Sequence, residues 1–146
     1  MELLPMQKRH VAAVAALEPI CFTDPWSEHS IRAELDNPLS LWVVAVEDGE
    51  VCGYVGSQTV LGESDMMNLA VAPAYRRQGL GRRLVETLCD ALREKGSERL
   101  LLEVRRSNEA ALALYASLGF TQIGVRPNYY YHPTEDALIL RKELIP

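Results

Sequence analysis

Cysteine is scarce in this sequence: Cys21, Cys52 and Cys89 are odd in number and lie too far apart for a C-x-x-C knuckle. That pattern argues against a disulfide framework and predicts reduced thiols. His10, His29 and His132 are scattered without ligand-like spacing, so no metal is expected. Long apolar runs are also missing. Charges interrupt each one before the roughly 18 residues that a membrane-spanning helix needs. The opening Met1-Glu2-Leu3-Leu4-Pro5 lacks the basic-then-apolar order of a signal peptide. No membrane partner and a cytosolic address are therefore expected. Positive charge is not in excess either. A formal net charge of −5 disfavours direct nucleic-acid binding and suits a cationic acceptor. Finally, no repeat period, low-complexity tract or Gly/Ser-rich linker divides the chain, so residues 1–146 read as a single domain.

What is present alternates between two periods. From Gln7 to Leu17, Val11, Val14 and Leu17 share a helical stripe that Pro19 should end. Ser27 caps a second short helix carrying Ile31 and Leu35, closed by Asn37-Pro38. Leu41–Val46 and Val51–Val60 are β-branched and aromatic, with Asp48-Gly49 as the hairpin turn between them. A third strand runs over Asp65–Val71. Leu80, Leu84, Leu88 and Leu92 then define a long amphipathic helix that Gly96 terminates. Arg99–Val104 is a nearly unbroken apolar run, as expected of a strand covered on both faces, and Glu103 is its anomaly. Asn108 caps a further helix reaching Leu118 and Gly119, followed by strands over Phe120–Val125 and Ala137–Leu140. This order describes a mixed α/β sheet with helices packed on its faces.

Between the third strand and the long helix lies Arg76-Arg77-Gln78-Gly79-Leu80-Gly81. Glycines there let the backbone turn tightly and bring N–H groups against an anion, and the helix N-terminus adds positive potential. A pyrophosphate suits such a loop, with Arg76 or Arg77 adding charge. No Lys-Ser/Thr follows Gly81, and Leu84 stands where a dinucleotide fingerprint has glycine. By itself the segment is equally a plain connection with a solvated arginine pair.

Leu69-Ala70-Val71, Pro73, Arg76-Arg77-Gln78-Gly79 and Gly81 together resemble the acyl-CoA motif of the GNAT superfamily of N-acetyltransferases. Further stretches resemble the RimI-type ribosomal-protein-alanine N-acetyltransferases. They are Phe22 with Pro25-Trp26-Ser27, Asn68-Leu69-Ala70-Val71, Glu103-Val104-Arg105, Ser107-Asn108, Ala111, Leu114-Tyr115, Gly119-Phe120, Asn128-Tyr129-Tyr130 and Glu135-Asp136-Ala137. The matches run in the family's order from about residue 20 to residue 140. One departure is Tyr131 before His132-Pro133, a third tyrosine where the second commonly leads toward proline or a polar residue.

The resemblance implies a GNAT fold, a mostly antiparallel central sheet with splayed strands and about four flanking helices. It implies acetyl-CoA as co-substrate, its pyrophosphate held by Arg76, Arg77, Gln78, Gly79, Leu80, Gly81 and Arg82. The pantetheine arm would lie along Leu69, Ala70 and Val71, and Asn108 would cap its helix and contact CoA. Glu103 becomes the candidate base, although from placement alone an ion pair with Arg105 is an equal reading. Tyr115 becomes the acid that protonates the CoA sulfur, although sequence alone ranks it first as a core tyrosine. A backbone N–H around Leu69–Val71 would meet the oxyanion.

Trp26 and Tyr129-Tyr130-Tyr131 could wall an acceptor groove, with Asn68 beside it and Glu135 or Asp136 near a basic peptide, or both aromatic groups could simply order their loops. The implied acceptor is a protein N-terminus, the alanine of the eighteenth small-subunit ribosomal protein. Magnitudes agree: an α-amine is about one-tenth neutral at pH 7, a lysine only about one part in 2,500. Acetylation of lysine or a small amine, and a CoA-binding partner module with vestigial catalysis, are the alternatives.

Overall fold

The structure, a computed structural model, describes residues 1–145. Seven strands form one sheet in the order β1-β2-β3-β4-β5-β7-β6. They are β1 (Glu2–Pro5), β2 (Ser40–Glu47), β3 (Glu50–Val60), β4 (Glu63–Val71), β5 (Arg99–Arg105), β6 (Thr121–Tyr130) and β7 (Glu135–Glu143). Every neighbouring pair is antiparallel except β4 and β5. The four α-helices are α1 (Val11–Cys21), α2 (Glu28–Glu34), α3 (Leu80–Glu94) and α4 (Glu109–Ser117). The expected mixed, mostly antiparallel sheet with about four helices is the architecture found.

Strand alternation sorts the core into two layers. Trp42 and Val44 of β2 point to one face, where they pack with Val11, Val14, Ile31 and Tyr54 beneath α1 and α2. Val43 and Ala45 point to the other, joining Leu84, Leu88 and Leu92 of α3 and Tyr115 of α4. The leucine stripe of α3 is buried as its spacing predicts, with Leu84 and Leu88 at zero exposure.

Two expectations are corrected. Pro19 does not end the first helix but sits inside α1, two residues before Cys21. It lies so close to the end that its missing N–H and ring cost one hydrogen bond of the last turn rather than a kink in mid-helix. The β5 run is not covered on both faces. Leu100, Leu102 and Val104 are buried against α3 and α4, while Leu101, Glu103 and Arg105 are only partly covered. Helices α1 and α2 shelter β2 to β4, so the second face of β5 stays open and its apolar residues line a groove.

That opening begins where β4 and β5 part. The two strands pair only over Glu63–Asp65 with Arg99–Leu101. Immediately beyond, the β3–β4 register slips between Gly56 and Ser57, leaving Met67 as the extra residue of a bulge. A bulge bends its strand and strengthens the twist. From Met66 onward β4 therefore diverges from β5, and cavities fill the wedge.

Candidate active site

Three cavities follow one another along the wedge. The outermost, of 620 Å³, is lined by Val71, Arg76, Arg77, Gly79, Gly81 and Leu114, among others. Gly79 holds φ +78° as the cap residue of α3, and Arg77 holds φ +64°. A side chain at Gly79 would be strained in that left-handed conformation, which is the physical reason for glycine there. The turn directs the unpaired first N–H groups of the 15-residue α3 at the cavity.

The arginines divide their work. Arg76 folds back, its Nε donating to the Val71 carbonyl at 3.1 Å. Arg82 donates to the Ser117 hydroxyl, and Gln78 donates to the Ala74 carbonyl at 3.3 Å. Both ties brace the loop against neighbouring backbone and α4. Arg77 is exposed on the same rim and lines the cavity.

The middle cavity, of 420 Å³, shares Leu69, Asn108 and Ala111 with the first and adds Glu103, Tyr115 and Tyr130. Asn108 caps α4 as expected, its Oδ1 accepting from Ala111 N–H at 3.1 Å. Tyr115 is buried edge-on against Phe120, and its hydroxyl lies 3.8 Å from the Met66 sulfur. Burial pushes its phenol well above the usual value of 10, with Tyr130 adding a smaller push in the same direction. The group stays protonated at neutral pH.

The innermost cavity, of 500 Å³, shares Asn68, Glu103 and Tyr130 with the middle one and brings in Trp26, Asp65, Arg126 and Tyr129. Glu103 thus stands on the wall common to the second and third. Its partner is Arg126, not Arg105: the Arg126 Nε lies 3.2 Å from Oε2. The approach is not aligned for a hydrogen bond, and among the described residues Oε2 is a buried acceptor with no hydrogen-bond partner. Tyr130 is pushed up to about 12, first by burial and then by the Glu103 charge. Arg105 stacks over the Tyr130 ring at 4.5 Å from its centroid.

Trp26, Asn68, Tyr129 and Tyr130 therefore meet around Glu103. Glu135 does not join them. It pairs with Arg105 at 3.3 Å and accepts the Ser107 N–H at 2.6 Å, which anchors the corner ahead of α4. Asp136 is likewise tied to Arg106 and to the Asn128 N–H, while Tyr131 projects outward, exposed.

Two buried acids went unread in the sequence. Glu18, at zero exposure, accepts from Trp26 N–H, the Tyr54 hydroxyl and the Asn68 amide. Glu34 accepts from Trp42 Nε1 at 3.1 Å and from Gln58 Nε2 at 3.0 and 3.1 Å. A signal for Glu18 was present: it falls at i+4 from Val14 and i+7 from Val11, on the buried stripe of α1, where Leu17 is only partly covered. An acid on such a stripe demands polar partners from the core. Arg126 carried no comparable pattern.

Residues 11–120 match the acetyltransferase (GNAT) family. The chain belongs to the GNAT family. Among its GNAT relatives, the ribosomal protein bS18-alanine N-acetyltransferase of Escherichia coli (strain K12) is 45% identical over 120 residues, covering 80% of this chain and 79% of that protein. The N-alpha-acetyltransferase RimI of Mycobacterium tuberculosis is 38% identical over 124 residues, covering 82% and 77%. The crystal structure of the Escherichia coli ribosomal-protein-S18-alanine N-acetyltransferase superposes with a TM-score of 0.91 at 36% identity, over 99% of this chain and 94% of that one. GNAT enzymes draw acetyl groups from acetyl-CoA, and the wedge fits that donor. The glycine turn and the α3 N-terminus suit a diphosphate, and the β4 edge freed beyond Asp65 offers backbone groups to an amide-bearing arm.

Proposed function

We propose that this chain, acting as one N-acetyltransferase domain in the cytoplasm, transfers the acetyl group of acetyl-CoA to the N-terminal α-amine of a protein. The acceptor is the N-terminal alanine of the eighteenth small-subunit ribosomal protein. The observation that carries the reading is the position of Glu103. It stands between a donor cavity that ends beside Tyr115 and an acceptor cavity walled by Trp26, Tyr129 and Tyr130. The relatives' substrates point to the same acceptor.

Acetyl-CoA supplies an activated carbonyl and a thiolate leaving group; the protein supplies proton handling and aim. Glu103, whose Oε2 faces Arg126 but takes no hydrogen bond from the described residues, removes a proton from the ammonium, directly or through water. An α-amine near pKa 8 asks less of one carboxylate than a lysine near 10.4. A backbone N–H in the β4 segment around Leu69–Val71 meets the developing oxyanion. As the amine nitrogen bonds to the carbonyl carbon and the C–S bond breaks, Tyr115, protonated at neutral pH, hands its proton to the departing sulfur, and the second proton leaving the new amide nitrogen restores the phenol. Its hydroxyl is engaged only by a thioether, a weak acceptor, which leaves the O–H free to turn toward the departing sulfur. Arg77 and the amides that open α3 hold the diphosphate, with Arg76, Gln78 and Arg82 bracing them.

Incubation with acetyl-CoA and an Ala-initiated basic peptide, followed by mass spectrometry, should show a gain of about 42 Da at the α-amine, the mass of one acetyl group replacing a proton. A panel in which internal lysines, polyamines or amino sugars outrun every peptide N-terminus would overturn the acceptor assignment. Acetyl-CoA binding without CoA release for any amine would overturn the enzymatic reading.

A further inference from the structure

Glu18 is the one wholly buried carboxylate among the described residues, at zero exposure. No cation among the described residues pairs with it. Its two oxygens instead take four hydrogen bonds from neutral donors: Trp26 N–H at 2.8 Å, the Tyr54 hydroxyl, and Asn68 Nδ2 at 3.0 and 2.9 Å. Burying a charge without a counter-charge is expensive, and a polar network of this kind persists where it fixes something. The three donors come from the loop after α1, from β3 and from β4 at its bulge. Two of them, Trp26 and Asn68, line the acceptor cavity.

The contact also has a direction. A carboxylate only accepts, so the Asn68 amide must turn its NH₂ toward Glu18. No hydrogen bond within the described residues engages Asn68 Oδ1, the opposite end of the same group, and Asn68 borders both the donor and the acceptor cavities. An acceptor oxygen at that junction suits an amine, which enters as an ammonium and needs N–H partners while Glu103 takes one proton.

We propose that Glu18 is a positioning residue: it locks the Asn68 amide with Oδ1 presented to the acceptor amine and holds the Trp26 loop over the same cavity. The inference deepens the amine-acetylation reading and rests on it. Asn68 Oδ1 orients the nitrogen lone pair toward the thioester, and Glu18 acts through Asn68 and touches neither substrate.

The test compares the wild type with Glu18→Gln, Asn68→Asp and the double variant, using acetyl-CoA and the Ala-initiated peptide. Glutamine brings an N–H₂ that confronts the Asn68 N–H₂ and releases the amide to flip. Acceptor kcat/KM in Glu18→Gln should fall by about tenfold or more, the scale on which misorientation of a reacting group is felt. Calorimetric acetyl-CoA affinity should stay within about twofold, because the diphosphate cradle is untouched. Asn68→Asp sets two carboxylates against each other and should fall similarly. In the double variant the introduced amide on α1 donates to the introduced carboxylate on β4, whose second oxygen still faces the cavity, so activity should recover above either single variant. Recovery supports the proposal. Wild-type acceptor kinetics in Glu18→Gln would overturn it, as would parallel loss of melting temperature and acetyl-CoA affinity, or a double variant no better than the worse single one. If the wild type ignores the peptide but acetylates another amine, the acceptor assignment falls, and the same four proteins are compared on that amine.

Discussion

The Tyr115 hydroxyl and the Glu103 carboxylate border one cavity, yet each is prepared differently. Burial raises the phenol further above neutral pH, while the carboxylate keeps a buried oxygen without a hydrogen-bond partner among the described residues. Glu103→Gln should lower kcat by about 10²- to 10⁴-fold, the span of one general base. Tyr115→Phe, which preserves the ring contact with Phe120, should cost up to about 10²-fold, with acetyl-CoA affinity preserved in both. Steady-state kinetics beside calorimetry check this pair. The raised phenols also set a pH window. Tyr115 and Tyr130 keep their protons in the fold above the ordinary value of 10, where the unfolded chain loses them. Their contribution to stability is therefore flat below about pH 10 and lost as pH climbs toward the folded values. Melting curves should show that alkaline decline, shallower in Tyr115→Phe. At this scale the meeting of Glu103 and Tyr115 at one cavity was legible from the motif around them, and Glu103 also from its intrusion into an apolar run. Glu18 was not, because a stripe judged by its apolar members discounts an acid among them.

Single elements reward local rules where local physics decides. The α3 stripe, the Asn108 and Ser27 caps, and the Asp48-Gly49 turn all stand where spacing and turn chemistry place them. Other features were set by tertiary context. Pro19 is tolerated within α1 because so little helix remains beyond it. Strand β6 runs on to Tyr130, past the expected Val125, because β7 begins at Glu135, ahead of the expected Ala137, and pairs Glu135 with Tyr130, with register shifts along the way. The apolar run of β5 did not reveal that one face is open, since a groove lining and a core share the same composition. The α3 cap offers the sharpest element-level test. Gly79→Ala forces a Cβ into φ +78° and should cost about 1–2 kcal/mol, seen as roughly a tenfold weaker acetyl-CoA affinity if the turn relaxes away from the diphosphate. The neighbouring α3 core should be spared, because nothing lies within 4 Å of the added Cβ.

For the whole molecule, the partition of the sheet matters most. Among the described residues, the ladder that joins strands β1 to β4 to strands β5, β7 and β6 has only three residue pairs, Glu63–Asp65 with Arg99–Leu101. A donor lying in the wedge contacts both parts, so saturation should raise stability by mass action, about 2.7 kcal/mol at a hundredfold excess over Kd. Thermal melts with increasing acetyl-CoA should shift upward, and desulfo-CoA, which keeps the diphosphate, should give most of that shift. The alternation of hairpin, helix, strand and helix announced the fold class, but nothing local announced the seam, because it depends on where pairing stops.

That short seam has a mechanical meaning. With so few rungs joining them, the two half-sheets part from the Glu63–Asp65 end like the jaws of a clothes-peg, sprung on one face by the shared core beneath α3, and the cofactor becomes the object held between them. Amide exchange should then be fastest on the inner edges of both jaws in the empty enzyme, and should slow there first when CoA is added.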